Sequence, residues 1–300
     1  MGEIVHPDQT CGVPGRRVAD SLGLIRDTIQ YITDRNIRAA LVCLDQEKAF
    51  DHVSHEFMER VLQGFGLGEQ FCNYVRIMST DIFSSVMVNE LLTEYIRKNS
   101  SIRGIPTPGD AKKEVKCTLY MDDVTLFCTD GKLVLSLLEA CKDFGKASGA
   151  KINVDKSQAE LFGCWDLCNK PLPFPIEAGL VKILGIWFGG PGAAAKIWNE
   201  RLAKVKQKLG FWSLRHLSIE GKALMLRNDA QPMLQYVTQA WPLLANVARA
   251  VNSMVFHFVW HSKMDRMKRT DMHKEHRKGG RQSLTSRQSS EPSLCVAASE

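Results

Sequence analysis

Apolar residues early in the chain recur at helical spacing. Val18, Leu22, Ile25, Ile29 and Ile32 lie three or four apart, which predicts an amphipathic helix over residues 18–35. The pattern then changes. Ala39-Ala40-Leu41-Val42-Cys43-Leu44 is an unbroken apolar run of the kind found in strands buried on both faces, and it ends at Asp45. Ser54 is suited to cap a following helix that turns Phe57, Met58, Val61, Leu62 and Phe65 inward and stops at Gly64 and Gly66. Leu119-Tyr120-Met121 and Val124-Thr125-Leu126-Phe127 read as two short strands, with Asp122-Asp123 at a tight hairpin between them. Another helix is expected over 133–148, built on Leu133, Leu137, Leu138, Cys141 and Phe144, and a strand over 183–188.

Gly189-Gly190-Pro191-Gly192 breaks the chain and marks a boundary. Beyond it the pattern is helical. Trp198, Leu202, Val205 and Leu209 make one face, with Arg201, Lys204 and Lys208 on another, and Val247, Val251, Met254, Val255 and Phe258 make a later helix. Residues 281–300 are rich in Ser and short of large apolar side chains, the composition of a disordered tail.

Three hundred residues with 44% hydrophobic content suffice for a substantial core in one large domain or two small ones. The N-terminus lacks a basic start followed by an apolar stretch. The best candidate for a membrane span, residues 243–260, is interrupted by Asn246, Arg249, Asn252, Ser253 and His257, so neither secretion nor membrane insertion is expected. Nine scattered cysteines without a tight CxxC pair suit a reducing intracellular compartment, nuclear or cytoplasmic, and argue against zinc at Cys164 and Cys168. The net charge of +6 is unevenly placed: residues 196–222 hold seven Lys/Arg against two Glu, and residues 261–281 hold eight Lys/Arg against three acids. The basic character is therefore C-terminal, as expected for contact with a polyanion, although lysines that merely solvate helix faces give the same count.

The acids stand apart from this picture. A carboxylate pair at a hairpin tip is poor packing chemistry, because both charges must stay solvated or be neutralised. It is good chemistry for Mg2+, which prefers carboxylate oxygens. The buried strand that ends at Asp45 offers a third acid, enough for a two-metal phosphoryl-transfer site with ions roughly 3.5–4 Å apart. Taken alone, Asp122-Asp123 is equally compatible with a surface turn, since Asp is a common turn former.

The order of segments decides between these readings. Leu44-Asp45-Gln46-Glu47-Lys48-Ala49-Phe50-Asp51 resembles the first palm motif of LINE-type (non-LTR) retrotransposon reverse transcriptases, and Tyr120-Met121-Asp122-Asp123 resembles their second acidic motif. Gly149-Ala150-Lys151-Ile152-Asn153-Val154-Asp155-Lys156-Ser157 is similar to the motif that follows, Ile183-Leu184-Gly185-Ile186 to the primer-grip region, and Cys11-Gly12-Val13-Pro14-Gly15-Arg16-Arg17 to a late fingers motif. The segment from Trp198 to about Lys268, including Trp212-Ser213-Leu214-Arg215, is similar to the thumb. Five motifs in collinear order are hard to reach by chance.

The resemblance implies an α+β fold: a right-hand polymerase palm, an antiparallel sheet with packed helices, followed by a helical thumb. Residues 1–38 would be a remnant of the fingers, 39–190 the palm, 191–280 the thumb and 281–300 a disordered tail. It implies Asp45 and Asp122 as ligands of two Mg2+ (or Mn2+), with Asp123 beside them and the backbone carbonyl of Gln46 as a further oxygen. Phe50 would lie under the nucleotide sugar and favour dNTP over rNTP, and Lys156 would be the general acid for pyrophosphate. Leu184 and Gly185 would meet the primer end, and Arg16 and Arg17 the template. Asp51, six residues after Asp45, reads as a capping or solvated residue. The implied partners are an RNA template, a DNA primer and dNTP.

One family motif is missing. A glycine turn and a long helix should lie between Val88-Asn89 and Glu94, yet Leu91-Leu92-Thr93 runs straight into Glu94-Tyr95-Ile96-Arg97-Lys98. That motif holds the template and packs behind the palm sheet. Its loss is expected to expose apolar sheet surface, at a cost of several kcal/mol at about 25 cal/mol per Å2. Three expectations follow: little or no polymerase activity in this chain, and, as an alternative role, non-catalytic nucleic-acid binding through the basic C-terminal part. A degenerate product that folds poorly is the third.

Overall fold

The computed structural model describes residues 6, 8–47, 54–79, 88–99, 102–107, 110–121, 123–163, 175–177 and 179–260. The expected tail over 281–300 and the basic stretch 261–281 lie outside them, as do Phe50 and Asp122. The chain divides into two compact units, Met1–Gly190 and Pro191–Glu300.

The first unit runs α1 (Val18–Asp34), β1 (Ala39–Glu47), α2 (His55–Gly64), α3 (Glu69–Ser79), α4 (Val88–Lys98), β2 (Ile105–Thr107), β3 (Asp110–Val115), β4 (Cys117–Tyr120), β5 (Asp123–Cys128), α5 (Gly131–Ser148), β6 (Lys151–Phe162), β7 (Ile176–Glu177), β8 (Leu180–Ile183) and β9 (Ile186–Gly189). Five strands form one sheet in the order β4-β5-β1-β6-β7. All neighbours are antiparallel except β6 and β7. The central strand β1 is the apolar run, buried from Ala39 to Val42, because it is paired on both edges and covered on both faces.

Strand alternation sorts its side chains. Ala40, Val42 and Leu44, with Val124, Leu126 and Cys128 of β5, share a core with Val134, Leu137, Leu138 and Cys141 of α5. Burying each aliphatic side chain stabilises by about 1.5–3 kcal/mol. The opposite face carries Leu41, Phe127 and Thr118, all buried, and α1 packs there: the Thr118 hydroxyl donates to Ser21 Oγ at 3.1 Å.

The expected loss of cover behind the sheet does not occur. Residues 88–98 form α4, a continuous helix across the Thr93–Glu94 junction, and its Leu92 and Ile96 enter the same core as β1 and β5. The reason is periodic. Both sides of the junction carry apolar residues in helical phase, so Leu92 and Ile96, four apart, fall on one face.

Two other expectations are corrected. Phe65 is 40% exposed, because α2 ends at Gly64; the chain turns at Gly66 (φ +71°), and Leu67 closes the small cluster of Met58, Leu62, Cys72 and Val75 instead. Residues 183–188 are not one strand but two, β8 and β9. Leu184 (φ +50°) and Gly185 (φ +73°) form a two-residue turn with both φ positive, the geometry whose twist matches that of the flanking strands.

The second unit is helical, as the pattern predicts: α6 (Ala193–Ser213), α7 (Ile219–Met225), α8 (Gln231–Thr238) and α9 (Ala245–Trp260). Trp198, Val205 and Leu209 of α6 are buried, as are Val247, Val251, Val255 and Phe258 of α9. A π-turn, Leu226–Ala230, joins α7 to α8, with the Gln231 N–H donating to Leu226 O. Pro232 has no N–H to continue the tighter ladder, which accounts for the wider turn there.

Candidate active site

Strand pairing decides where the acids go. β1 and β5 pair through Leu44 and Val124, and the same register continued by one residue sets Asp45 opposite Asp123. Directly opposed residues on neighbouring strands point to the same face, with Cβ atoms about 4.5–5.5 Å apart. That face is the one away from α5, since Leu44 and Val124 both point into the helical core. Asp45 is half-buried near the end of β1, and Asp123 is exposed at the start of β5. Two carboxylates thus share the rim of one sheet face, where water can solvate them.

The hairpin that carries Asp123 is tight. Tyr120 pairs with Asp123, and the chain turns immediately after Tyr120, at Met121. Met121 takes φ +56° and is 54% exposed. A left-handed backbone at a non-glycine residue costs on the order of 1 kcal/mol or more, and such strain clusters at functional sites. A hairpin end bearing an exposed acid, Asp123, and a strained methionine is not optimised for stability.

The N-terminal strap runs along β4, beside this tip. Gln9 and Leu119 form a parallel bridge, and the Leu119 N–H donates to Asp8 O at 3.1 Å. Cys11 hydrogen-bonds the Tyr120 hydroxyl, and desolvation followed by the Cys11 contacts raises that phenol above its ordinary range. The Arg16 guanidinium donates to the carbonyls of His6 and Gln9, the latter at 2.9 Å, and so ties the strap down. Arg17 is exposed at the head of α1, its N–H donating to Asp20 Oδ2 at 2.8 Å.

On the far edge of β1, β6 bulges. Cys43 pairs with Gln158 and Asp45 with Asn153, so two steps along β1 match five along β6 and three extra residues are accommodated. Lys156 sits exposed in this bulge, its N–H donating to Asn153 Oδ1 at 3.2 Å. Gln46 pairs with Ile152 just beyond it. Leu184 and Gly185 form the tip of the β8–β9 hairpin.

Glu160 is an acid that the sequence pattern did not single out. It lies opposite Leu41 in the ladder, on the face that carries Asp45, and is only 2% exposed. Cys43, between them, registers its neighbours: burial pushes the thiol up to about 12, a hydrogen bond with Thr125 opposes the rise, and the charges of Asp123 and Glu160 add to it. The period-two phase of β6 held the signal, since Glu160 falls two residues after Gln158.

Residues 2–188 match the family described as reverse transcriptase (RNA-dependent DNA polymerase). The chain belongs to the reverse transcriptase family. Its relatives are proteins of non-LTR retrotransposons. It is 28% identical over 268 residues to the transposon TX1 uncharacterized 149 kDa protein of Xenopus laevis, covering 79% of this chain and 20% of that protein. It is 24% identical over 274 residues to the Pol polyprotein of the type-1 retrotransposable element R2 of Popillia japonica, covering 77% of this chain and 37% of that one. The reverse transcriptase domain thus spans a fifth to under two fifths of the length of these relatives. A telomerase from Candida albicans, solved with a fragment of telomeric RNA, is 8% identical with a TM-score of 0.40, covering 82% of this chain and 48% of that one. Among the described residues, no helix of this reverse transcriptase domain is long and apolar enough to cross a membrane.

Proposed function

We propose that the acidic rim is the nucleotidyl-transfer site of an RNA-directed DNA polymerase domain, with Asp45 and Asp122 as the principal carboxylates and Asp123 beside them. The observation that carries this reading is the β1–β5 register, whose last pair, Leu44–Val124, puts Asp45 and Asp123 next in line at the solvated rim of one sheet face. The donor set suits hard divalent cations, because carboxylate oxygens are their preferred ligands. A bound pair of Mg2+ would neutralise charge on the attacking and leaving oxygens. In the reaction the primer 3′-hydroxyl attacks the α-phosphorus of a dNTP. The hydroxyl gives up its proton to solvent as a P–O bond forms, the bond to the bridging oxygen breaks, and pyrophosphate leaves. Lys156, solvated in the bulge, supplies a proton to that leaving group. Phe50 selects the deoxy sugar, Leu184 and Gly185 hold the primer end, and Arg16 and Arg17 contact template phosphates.

The chain carries this site without the template-holding motif, so its extension activity is expected to be very low. The test has two arms. Mn2+ bound to the purified chain, read by the loss of the free-ion paramagnetic resonance signal, should fall at least about tenfold in affinity in Asp45→Asn. Primer extension on an RNA template should be undetectable. Binding unaffected by Asp45→Asn overturns the site; metal-dependent extension abolished by Asp122→Ala overturns the inactivity.

A second reading, nucleic-acid binding without catalysis, has an observation in the second unit. On α6, Lys204, Lys206 and Lys208 are exposed, and at its end the 54%-exposed Phe211 ring lies 5.5 Å from the Arg215 guanidinium. Exposed cations beside an exposed ring suit phosphate contact with base stacking. Such binding should weaken steeply between 50 and 200 mM salt, roughly 10^3-fold or more for six phosphate contacts.

A further inference from the structure

The bulge in β6 leaves a gap in the ladder beside Asp45, and one side chain fills it. Three extra residues loop out of β6 between the partners of Cys43 and Asp45, so the regular ladder is interrupted just before Asp45. The Asp45 N–H donates to Ser157 Oγ at 3.1 Å. The same hydroxyl donates to Asn153 O at 2.7 Å, closing the neck of the bulge. Ser157 is 0% exposed, so its hydroxyl has no water to turn to and its two bonds fix its position. The Lys156 N–H, donating to Asn153 Oδ1, holds the bulge from within. On its other side β1 is fixed by the ladder with β5 through Leu44 and Val124.

We propose that Ser157 is a positioning residue for the Asp45 carboxylate, setting the backbone from which that carboxylate reaches a divalent cation. The inference rests on the reading of Asp45 as a metal ligand given above. Its physical basis is leverage. A carboxylate ligand must be held within about 0.5 Å of its working place, and Asp45 stands near the strand end, where the regular ladder with β6 is interrupted. The Ser157 hydroxyl bridges the two strands beside that interruption, from the Asp45 N–H to the Asn153 carbonyl. It touches no substrate in this role and acts through the main chain of Asp45. Ser157→Ala leaves the Asp45 N–H and the Asn153 carbonyl without their bridge, so β1 gains freedom at the position where the site needs it fixed. Thr keeps the hydroxyl; Cys fills similar space with a much weaker acceptor.

The test uses the full chain and Mn2+ alone. Affinity is measured by paramagnetic resonance for the parent, Asp45→Asn, Ser157→Ala, Ser157→Thr and Ser157→Cys, each checked for cooperative unfolding. The expected result is a loss of about tenfold in Ser157→Ala, typical of groups that orient a ligand, a smaller loss in Ser157→Cys, and an affinity within about twofold of the parent in Ser157→Thr. Where Ser157→Ala does not fold, Ser157→Cys carries the comparison. A folded Ser157→Ala or Ser157→Cys that unfolds at lower denaturant yet binds Mn2+ as the parent does would show a merely structural hydroxyl and overturn the proposal. Loss in the Ser157 variants with none in Asp45→Asn overturns it too, because the effect would not run through Asp45. If no variant changes Mn2+ affinity, the metal-site reading itself fails, a pattern distinct from the first.

Discussion

Gly189 closes β9 against Glu160. Its φ of +107° is left-handed, and a Cβ there would lie 2.4 Å from Glu160 Oε1 and 2.6 Å from Gly179 O. An exposed carboxylate could swing aside, but Glu160 is buried and Gly179 O is main chain, itself accepting from the Gly190 N–H. Both the backbone and the space therefore demand glycine. Gly189→Ala should cost about 2–4 kcal/mol of unfolding free energy, from strain plus overpacking. Gly210, inside α6, is the internal contrast, because a Cβ added there would meet nothing within 4 Å. Gly210→Ala should stabilise by up to about 1 kcal/mol. Urea titrations of the two variants check both; equal effects would mean that local crowding is not what Gly189 relieves. Met121 is the opposite case, a side chain that stands where glycine would be easier, beside the strand that Asp123 opens.

Elements show which parts of the molecule were legible in the sequence. α1, β1, β4, β5, α5, α6 and α9 follow directly from period 3.6 or from apolar runs, because burial dictated those residue types. The pairing of β1 with β5 through Leu44 and Val124 brings the ends that carry Asp45 and Asp123 side by side. What escaped is what pattern does not encode. Ile183-Leu184-Gly185-Ile186 reads as continuous strand because Leu184 is apolar, yet it turns. The β6 bulge is hidden because Ile152-Asn153-Val154-Asp155 alternates like any exposed strand, while the contact that closes its neck is a buried serine hydroxyl. α4 escaped because its helical phase runs across the junction where a family motif is missing. Leu92 (2% exposed) and Ile96 (0%) hold that helix to the sheet. Ile96→Ala should therefore cost about 2–5 kcal/mol, as for other large buried aliphatics. An exposed position such as Tyr95, 47% exposed, should tolerate Ala within about 1 kcal/mol. Equal costs at the two positions, measured by chemical unfolding, would mean that α4 does not cover the sheet.

The two compact units respond differently to alkali, and this separates them by experiment. In the first unit, burial pushes the Cys43, Cys117, Cys128 and Cys141 thiols up to about 12 from 9.0. The unfolded chain loses these protons first. The stability they contribute is therefore fully present below pH 9 and is lost as pH rises towards 12, on the order of 1–2 kcal/mol for each thiol at pH 10.5. In the second unit, Lys222 is 6% exposed, donates to Val259 O at 2.9 Å near the C-terminal end of α9, and lies 5.8 Å from the Phe258 ring. Desolvation lowers its pKa below 10.5. Between that lowered value and 10.5 the unfolded chain holds the extra proton, so the sign reverses and stability rises with pH. Urea unfolding at pH 8 and pH 10.5 should therefore move in opposite senses for two probes. Thiol accessibility at Cys43, Cys117, Cys128 and Cys141, four of the eight cysteines of the first unit, should shift to lower urea. Fluorescence, dominated by Trp198, Trp212, Trp241 and Trp260 of the second unit, should hold or shift to higher urea, and Lys222→Met should remove that rise. A single midpoint that falls identically for both probes would show that the units unfold as one and that the thiols govern the whole chain.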